Sequence, residues 1–243
     1  MNLSDKAIEM FESLNKQDII EDILDFEDFH KTYHISKHKP LPERPELLLG
    51  QNGIHYLQMS LYRSRLLLDG LIDSINNNNV LVGVLCTRAH FETSAGVGYL
   101  LKNLRGYYNK DISFENLELT LSRLLLGTKT KGGLDDAPDP VNVLTMITAA
   151  DKLFSELSKL SEPLFRTYYD SLSELCHPNS FGLQLSGGIN KVGIVRYRGL
   201  NEPYEVDIHT SSLFRVSSAG FKAFYKEARK LLEVNEELPI EIK

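Results

Sequence analysis

The segment Val80–Leu104 constrains the fold more than any other stretch. Between Val80 and Leu101 the only ionisable side chains besides Cys86 and Tyr99 are Arg88, His90 and Glu92. A helix that is apolar on nearly every side has no face to turn to water, so it belongs in the middle of a bundle. The chain around it must then supply the helices that cover it.

The flanking patterns do so in order. A long helix over 46–74 carries Leu57, Leu61, Leu68, Leu71 and Ile72, together with Arg63, Arg65 and Asp69. The short polar turn Asn76–Asn79 makes the next helix return antiparallel. Ser113 caps a further helix, Ile112 and Leu117 form its hydrophobic staple, and Gly127 ends it. After the polar loop 127–140, Asp139 as cap and Pro140 at the first helical position predict a helix to about Leu160. Ser161-Glu-Pro163 repeats the device. The helix it starts ends near Cys176, because Pro178 disfavours the α conformation at His177.

Beyond Pro178 the period changes. Gly182-Leu-Gln-Leu-Ser, Gly187-Gly188 and Val192–Tyr197 read as a β-hairpin within about 182–208, and Tyr204–Ile208 reads as a third strand. A last helix over 211–233 sets Phe214, Phe221, Tyr225, Ala228 and Leu232 on one stripe. The fold class is therefore mainly α: an antiparallel helical bundle with a small β-hairpin inserted before the last helix. The body runs over 46–243.

Ahead of the body lies an acidic segment, 1–38. Ser4 caps a helix with Ala7, Ile8, Phe11 and Leu14 on one stripe, and a second helix covers 18–29. A linker follows at 39–45, with Pro40, Pro42 and Pro45, and it is stiff because proline lacks an amide donor and restricts its predecessor. The formal net charge of −6 belongs to this segment. Residues 1–30 hold nine acids against two bases, which leaves 24 acids and 25 bases for the rest. The segment reads as a removable arm that binds a protein partner or masks the body. The nearly neutral body is open to an RNA ligand, whatever the overall sign.

No apolar run approaches the roughly 18 residues of a membrane span, and the start lacks the basic end and apolar stretch of a signal peptide. Cys86 and Cys176 are the only cysteines and form no CxxC pair. A reduced, cytoplasmic protein is the expectation.

Two polar constellations stand out. Arg88 and Glu92, four residues apart, share one helix face with Leu81, Leu85, Ala95 and Tyr99. They are either an internal ion pair that sets helix register or a pair facing a ligand. His90 points away from them and reads as a surface or interface group. The second constellation is Tyr169-x-x-x-Ser173-x-x-x-His177-Pro-Asn179, a line down one face that Arg166 continues. His177 at the helix end is placed to carry a proton near neutral pH, and Asn179 either holds the turn or touches a ligand.

His30, His34 and His38 repeat at four-residue steps, a spacing that metal ligands use, though a surface cluster is the simpler reading. The loop at Lys129 and the basic hairpin residues Lys191, Arg196 and Arg198 with Tyr197 offer weaker anion contacts. The chain has no P-loop, no G-x-G-x-x-G and no H-E-x-x-H. Neither a metal nor another cofactor is implied.

Arg88-Ala-His-Phe-Glu92 followed by Tyr169-Tyr-Asp-Ser-Leu-Ser-Glu-Leu-Cys-His-Pro-Asn179 resembles the HEPN superfamily of helical bacterial proteins, over roughly residues 54–235. The resemblance implies a homodimer and a metal-independent RNA endonuclease of toxin or phage-defence type, with His177 as the family histidine and acid/base. The family arginine has no match at its usual spacing, where Asp170, Ser171 and Leu172 stand. Arg166 lies about 16 Å away along the axis, so Arg88 is the candidate to stabilise the phosphorane. Glu92 would orient it, and Tyr169, Ser173, Asn179 and Arg166 would line the pocket. The alternative is a non-catalytic binding or assembly module of the same fold with a structural Arg88–Glu92 pair.

Overall fold

The structure, a computed structural model, describes residues 3–37, 48–130, 136–160, 162–185, 187–197 and 208–233. Among these the elements are α1 (Asp5–Ser13), α2 (Gln17–Tyr33), α3 (Leu48–Asn76), α4 (Val80–Tyr108), α5 (Phe114–Leu126), α6 (Val143–Ser158), α7 (Leu164–Cys176), α8 (Ser180–Gln184), β1 (Gly187–Ile189), β2 (Val195–Tyr197) and α9 (Ile208–Glu233). The chain is a mainly α bundle with a two-stranded antiparallel hairpin before its last helix. None of the described helices is long and apolar enough to cross a membrane.

The apolar helix α4 takes the centre, packed on by α3, α5, α6, α7 and α9. Val84, Phe91, Val97, Leu100 and Leu104 are all fully buried along it. Gly98 lets two neighbours close on it, since a Cβ there would meet the Phe224 ring at 3.1 Å and the Ala150 Cβ at 3.2 Å. The first turns of α4 emerge: Leu81 and Leu85 are exposed, so the stripe that carries Arg88 runs from solvent into the core instead of lying wholly inside it.

Most boundaries follow from local chemistry. Asn79 caps α4 by accepting from the Val82 amide, and Ser113 caps α5 from the Asn116 amide. His177 is extended, with φ −89° and ψ 148°, as the following proline requires. The start of α6 differs from the expectation at Asp139–Pro140. Arg123 donates to the carbonyls of Asp139 (2.9 Å) and Pro140 (3.2 Å), tying that stretch to the end of α5. Asn142 then caps the helix by accepting from the Leu144 amide at 2.8 Å.

The hairpin is shorter than its sequence suggests. Residues 180–184 are helical because Asn179 caps them, accepting from the Gly182 amide at 3.0 Å. Pairing begins only at Gly187↔Tyr197 and runs to Ile189↔Val195. Asn190 turns the chain by accepting from the amides of Val192 and Ile194, and Gly193 takes the left-handed φ of 81°. Of the expected strand at 204–208, only Ile208 is described, and it opens α9; the rest of that strand, the proline linker, His38 and Arg198 lie outside the described residues.

The acidic helices do not stand apart from the bundle. Phe11, Ile19, Ile23, Phe26 and Phe29 belong to the same apolar core as α3, α4 and α9. Their acidic edge meets bases of the body: Asp18 and Asp22 pair with Arg215, Asp25 with Lys222, and Glu27 with Arg65 at 3.3 Å. Four of the segment's acids thus face basic residues of its own chain, and it is apolar beneath because it completes the core.

Candidate functional site

The two constellations meet where α4 crosses α7. Arg88 donates through Nε to Ser173 Oγ (3.1 Å) and through Nη2 to the Tyr169 hydroxyl (2.9 Å). The same Nη2 lies 3.1 Å from Glu92 Oε1, and the Tyr169 hydroxyl donates to that oxygen at 3.1 Å. Ser173 Oγ donates to the Tyr169 carbonyl at 2.8 Å, and the guanidinium carbon sits 5.2 Å from the Tyr169 ring centre. Each α7 partner lies four residues from the next, so one face of α7 meets one face of α4. The Arg88 and Glu92 side chains keep 28% and 23% of their surface. Water therefore reaches the cluster, and its ionic pairing is weaker than that of a dry pair. Burial, then the Glu92 carboxylate, holds the Tyr169 phenol above its ordinary value, so it stays a neutral donor.

The other candidates fall outside this cluster. The His177 imidazole is exposed and has no partner among the described residues, one helical turn (about 5.4 Å) beyond Ser173. Arg166 turns to Asp170 at 2.7 Å. Asn179 is occupied by its capping bond and by donating to Glu174 Oε2 at 2.7 Å.

The histidine expectations need correction. His90 is not a surface group but is fully buried. Its Nδ1 pairs with Ser217 Oγ and its Nε2 with Ser64 Oγ, both at 2.8 Å. Ser64 Oγ in turn meets His30 Nε2 at 3.0 Å, and His30 Nδ1 meets the Phe26 carbonyl at 2.6 Å. His30 thus has both ring nitrogens occupied inside the core, whereas His34 is exposed at the end of α2. No group of three or more metal-ligating side chains occurs among the described residues. Burial pushes His90 down to about 3 and His30 to about 4, so both are neutral at ordinary pH.

A third polar feature shows only in three dimensions. A groove of 550 Å³ opens between α3, α4, α5 and α6, with Glu92, Thr93 and Gly96 along its floor and Arg63 and Arg123 on its walls. These residues are dispersed over more than sixty positions, and no local spacing announces them. Compared with family models, curated proteins and solved structures, the chain finds no match. Fold and site together define a helical bundle with a half-exposed polar clamp beside an amphipathic groove.

Proposed function

We propose that the chain is a HEPN-like, non-catalytic binding or assembly module in which Arg88, Glu92, Tyr169 and Ser173 clamp α4 to α7. The observation that supports this reading is the state of Arg88. Its guanidinium meets three side chains of its own bundle, which leaves little of it for a phosphorane. His177 lacks any group to orient its imidazole among the described residues, and a general acid or base needs such positioning. A homodimer is the assembly this reading carries, with RNA or a protein as the bound partner. The test is incubation of the purified protein with structured and unstructured RNA in EDTA, beside light scattering. Intact RNA with a mass of two chains is the expected result. Cleavage that disappears in Arg88→Ala would overturn it.

One observation favours the nuclease reading: His177 is solvent-facing and one turn from the Arg88–Ser173 contact. It requires His177→Ala to abolish EDTA-resistant cleavage while the fold is kept. Wild-type protein that leaves RNA intact removes it.

A further inference from the structure

We propose that the groove between α3, α4, α5 and α6 binds a monoanionic amphiphile, a carboxylic acid with an apolar body. The inference is independent of whether His177 acts on RNA. It starts from volume and lining. At 550 Å³ the groove is of the size that small-molecule sites have. Its lining is mostly apolar, with Leu124, Val141, Val143 and Met146 along one side. At the mouth Met59, Tyr62 and Leu66 are each more than half exposed, an apolar rim left facing water.

Two cations on the walls supply the polarity. Arg63 uses Nε on Thr93 Oγ1 at 3.1 Å, and Arg123 uses Nε and Nη2 on backbone carbonyls. Neither meets a carboxylate among the described residues, although elsewhere Arg65, Arg88, Arg105, Arg166, Arg215 and Arg229 all do. These side chains are each tethered by neutral acceptors, which fixes them in place and keeps their charge for a ligand. Guanidinium groups held this way suit a planar carboxylate.

The lining sets the charge. Glu92 lines the groove with Arg63 and Arg123, its carboxylate held by Arg88 at 3.1 Å, so the charges of the lining itself sum to +1, which one negative charge on the ligand balances. Tyr56 adds a neutral wall. Its buried hydroxyl lies over Gly96, where a Cβ would collide with it, and burial raises the phenol to about 12. Glycine at 96 thus leaves the space that the Tyr56 hydroxyl takes.

The experiment is calorimetric titration of the full chain with dodecanoate below its micellar range at pH 8, with dodecanol, dodecyl phosphate and dodecyltrimethylammonium as the other arms. One site per chain is expected for dodecanoate, with at least tenfold weaker binding of dodecanol and of dodecyl phosphate. Arg63→Gln is expected to weaken dodecanoate tenfold, and Arg63→Glu to reverse the preference toward dodecyltrimethylammonium. Val143→Trp, which places an indole in the groove, is expected to remove binding while the thermal transition stays cooperative. Absence of dodecanoate binding overturns the proposal. So does equal binding of the alcohol or the dianion, or an affinity that neither Arg63 variant changes.

Discussion

Two polar systems hang from α4 two residues apart, and they solve opposite problems. Arg88 and Glu92 lie toward α7 with about a quarter of their side-chain surface in water, and they form an ion pair. His90, on the other side, lies in a dry chain that runs Phe26 carbonyl, His30, Ser64, His90, Ser217 across α2, α3, α4 and α9. Hydrogen-bond direction can be assigned along that chain. The Phe26 carbonyl only accepts, so His30 Nδ1 carries the proton and bare Nε2 accepts from Ser64. Ser64 Oγ then accepts from His90 Nε2, which leaves His90 Nδ1 to accept from Ser217, for whose single hydroxyl proton the Phe214 carbonyl at 2.9 Å competes. With that proton turned to His90 the chain is satisfied without a charge, which is what a buried network requires. The contrast shows one helix using charge where water can share the cost and neutral hydrogen bonds where it cannot.

The largest disturbance of this contrast is removal of residues 1–33. That deletion takes His30 from the dry chain and Phe11, Ile19, Ile23, Phe26 and Phe29 from the core, while the Arg88 cluster keeps all its partners. Burial of several large side chains is worth well over about 5 kcal/mol, so the truncated chain is expected to lose its cooperative thermal transition. A sharp transition near the wild-type temperature would show that the acidic helices are an appendage after all.

Acid is the next largest effect. Both histidines sit below their ordinary value of 6.5, at about 4 and about 3, because burial disfavours the imidazolium. Glu27 and Arg65 act on His30 in opposite directions. The unfolded chain therefore takes up protons that the fold refuses as pH drops below 6.5. Stability from this source is complete above that pH and is lost on the way down toward 4. Two such groups account for about 4 kcal/mol at pH 5. Urea denaturation at pH 7.5 and pH 5 measures it, and equal midpoints would mean the imidazoles are hydrated.

His90→Ala comes third. It leaves a cavity and strands the Ser64 and Ser217 hydroxyls, at a cost of about 3 kcal/mol at pH 7.5. The same variant has one fewer proton to refuse, so its deficit against wild type is expected to shrink at pH 5. A deficit that stays constant between the two pH values would place the acid sensitivity elsewhere.

The parts legible in the sequence are those whose chemistry is local. The centrality of α4 came from its composition, the ends of α5 and α7 from Ser113, Gly127 and Pro178. The line Tyr169–Ser173 came from steps of four, and Arg88–Glu92 from the same period. That these two lines face one another was not legible, because spacing fixes a face but not its neighbour. Residues 182–185 read as strand because Gly-Leu-Gln-Leu alternates, yet the cap at Asn179 outweighed that alternation. His90 was misread for a related reason. Its distance from the Arg88 face was right, but α4 has a buried neighbour on that side too, and Ser64 and Ser217 are a long way off in the chain. The paired acids of α2 looked like an arm because net charge does not reveal that Arg215 and Lys222 answer it.

The smallest expected effect is the most direct probe of the half-wet cluster. Tyr169→Phe removes the hydroxyl that accepts from Arg88 and donates to Glu92, while the ring stays beneath the guanidinium. Arg88 Nη2 remains 3.1 Å from Glu92 Oε1, and water has access to fill the vacated position. The loss is therefore one hydrogen-bonded bridge in a screened site, about 1 kcal/mol. It is also expected to be the same at pH 7.5 and pH 5, since the cluster holds no buried histidine. A double-mutant cycle with Arg88→Gln gives the coupling, expected near about 1 kcal/mol and diminishing with added salt. A coupling as large as the His90→Ala deficit would show that this cluster, despite its exposure, is held as tightly as the dry chain on the far side of α4.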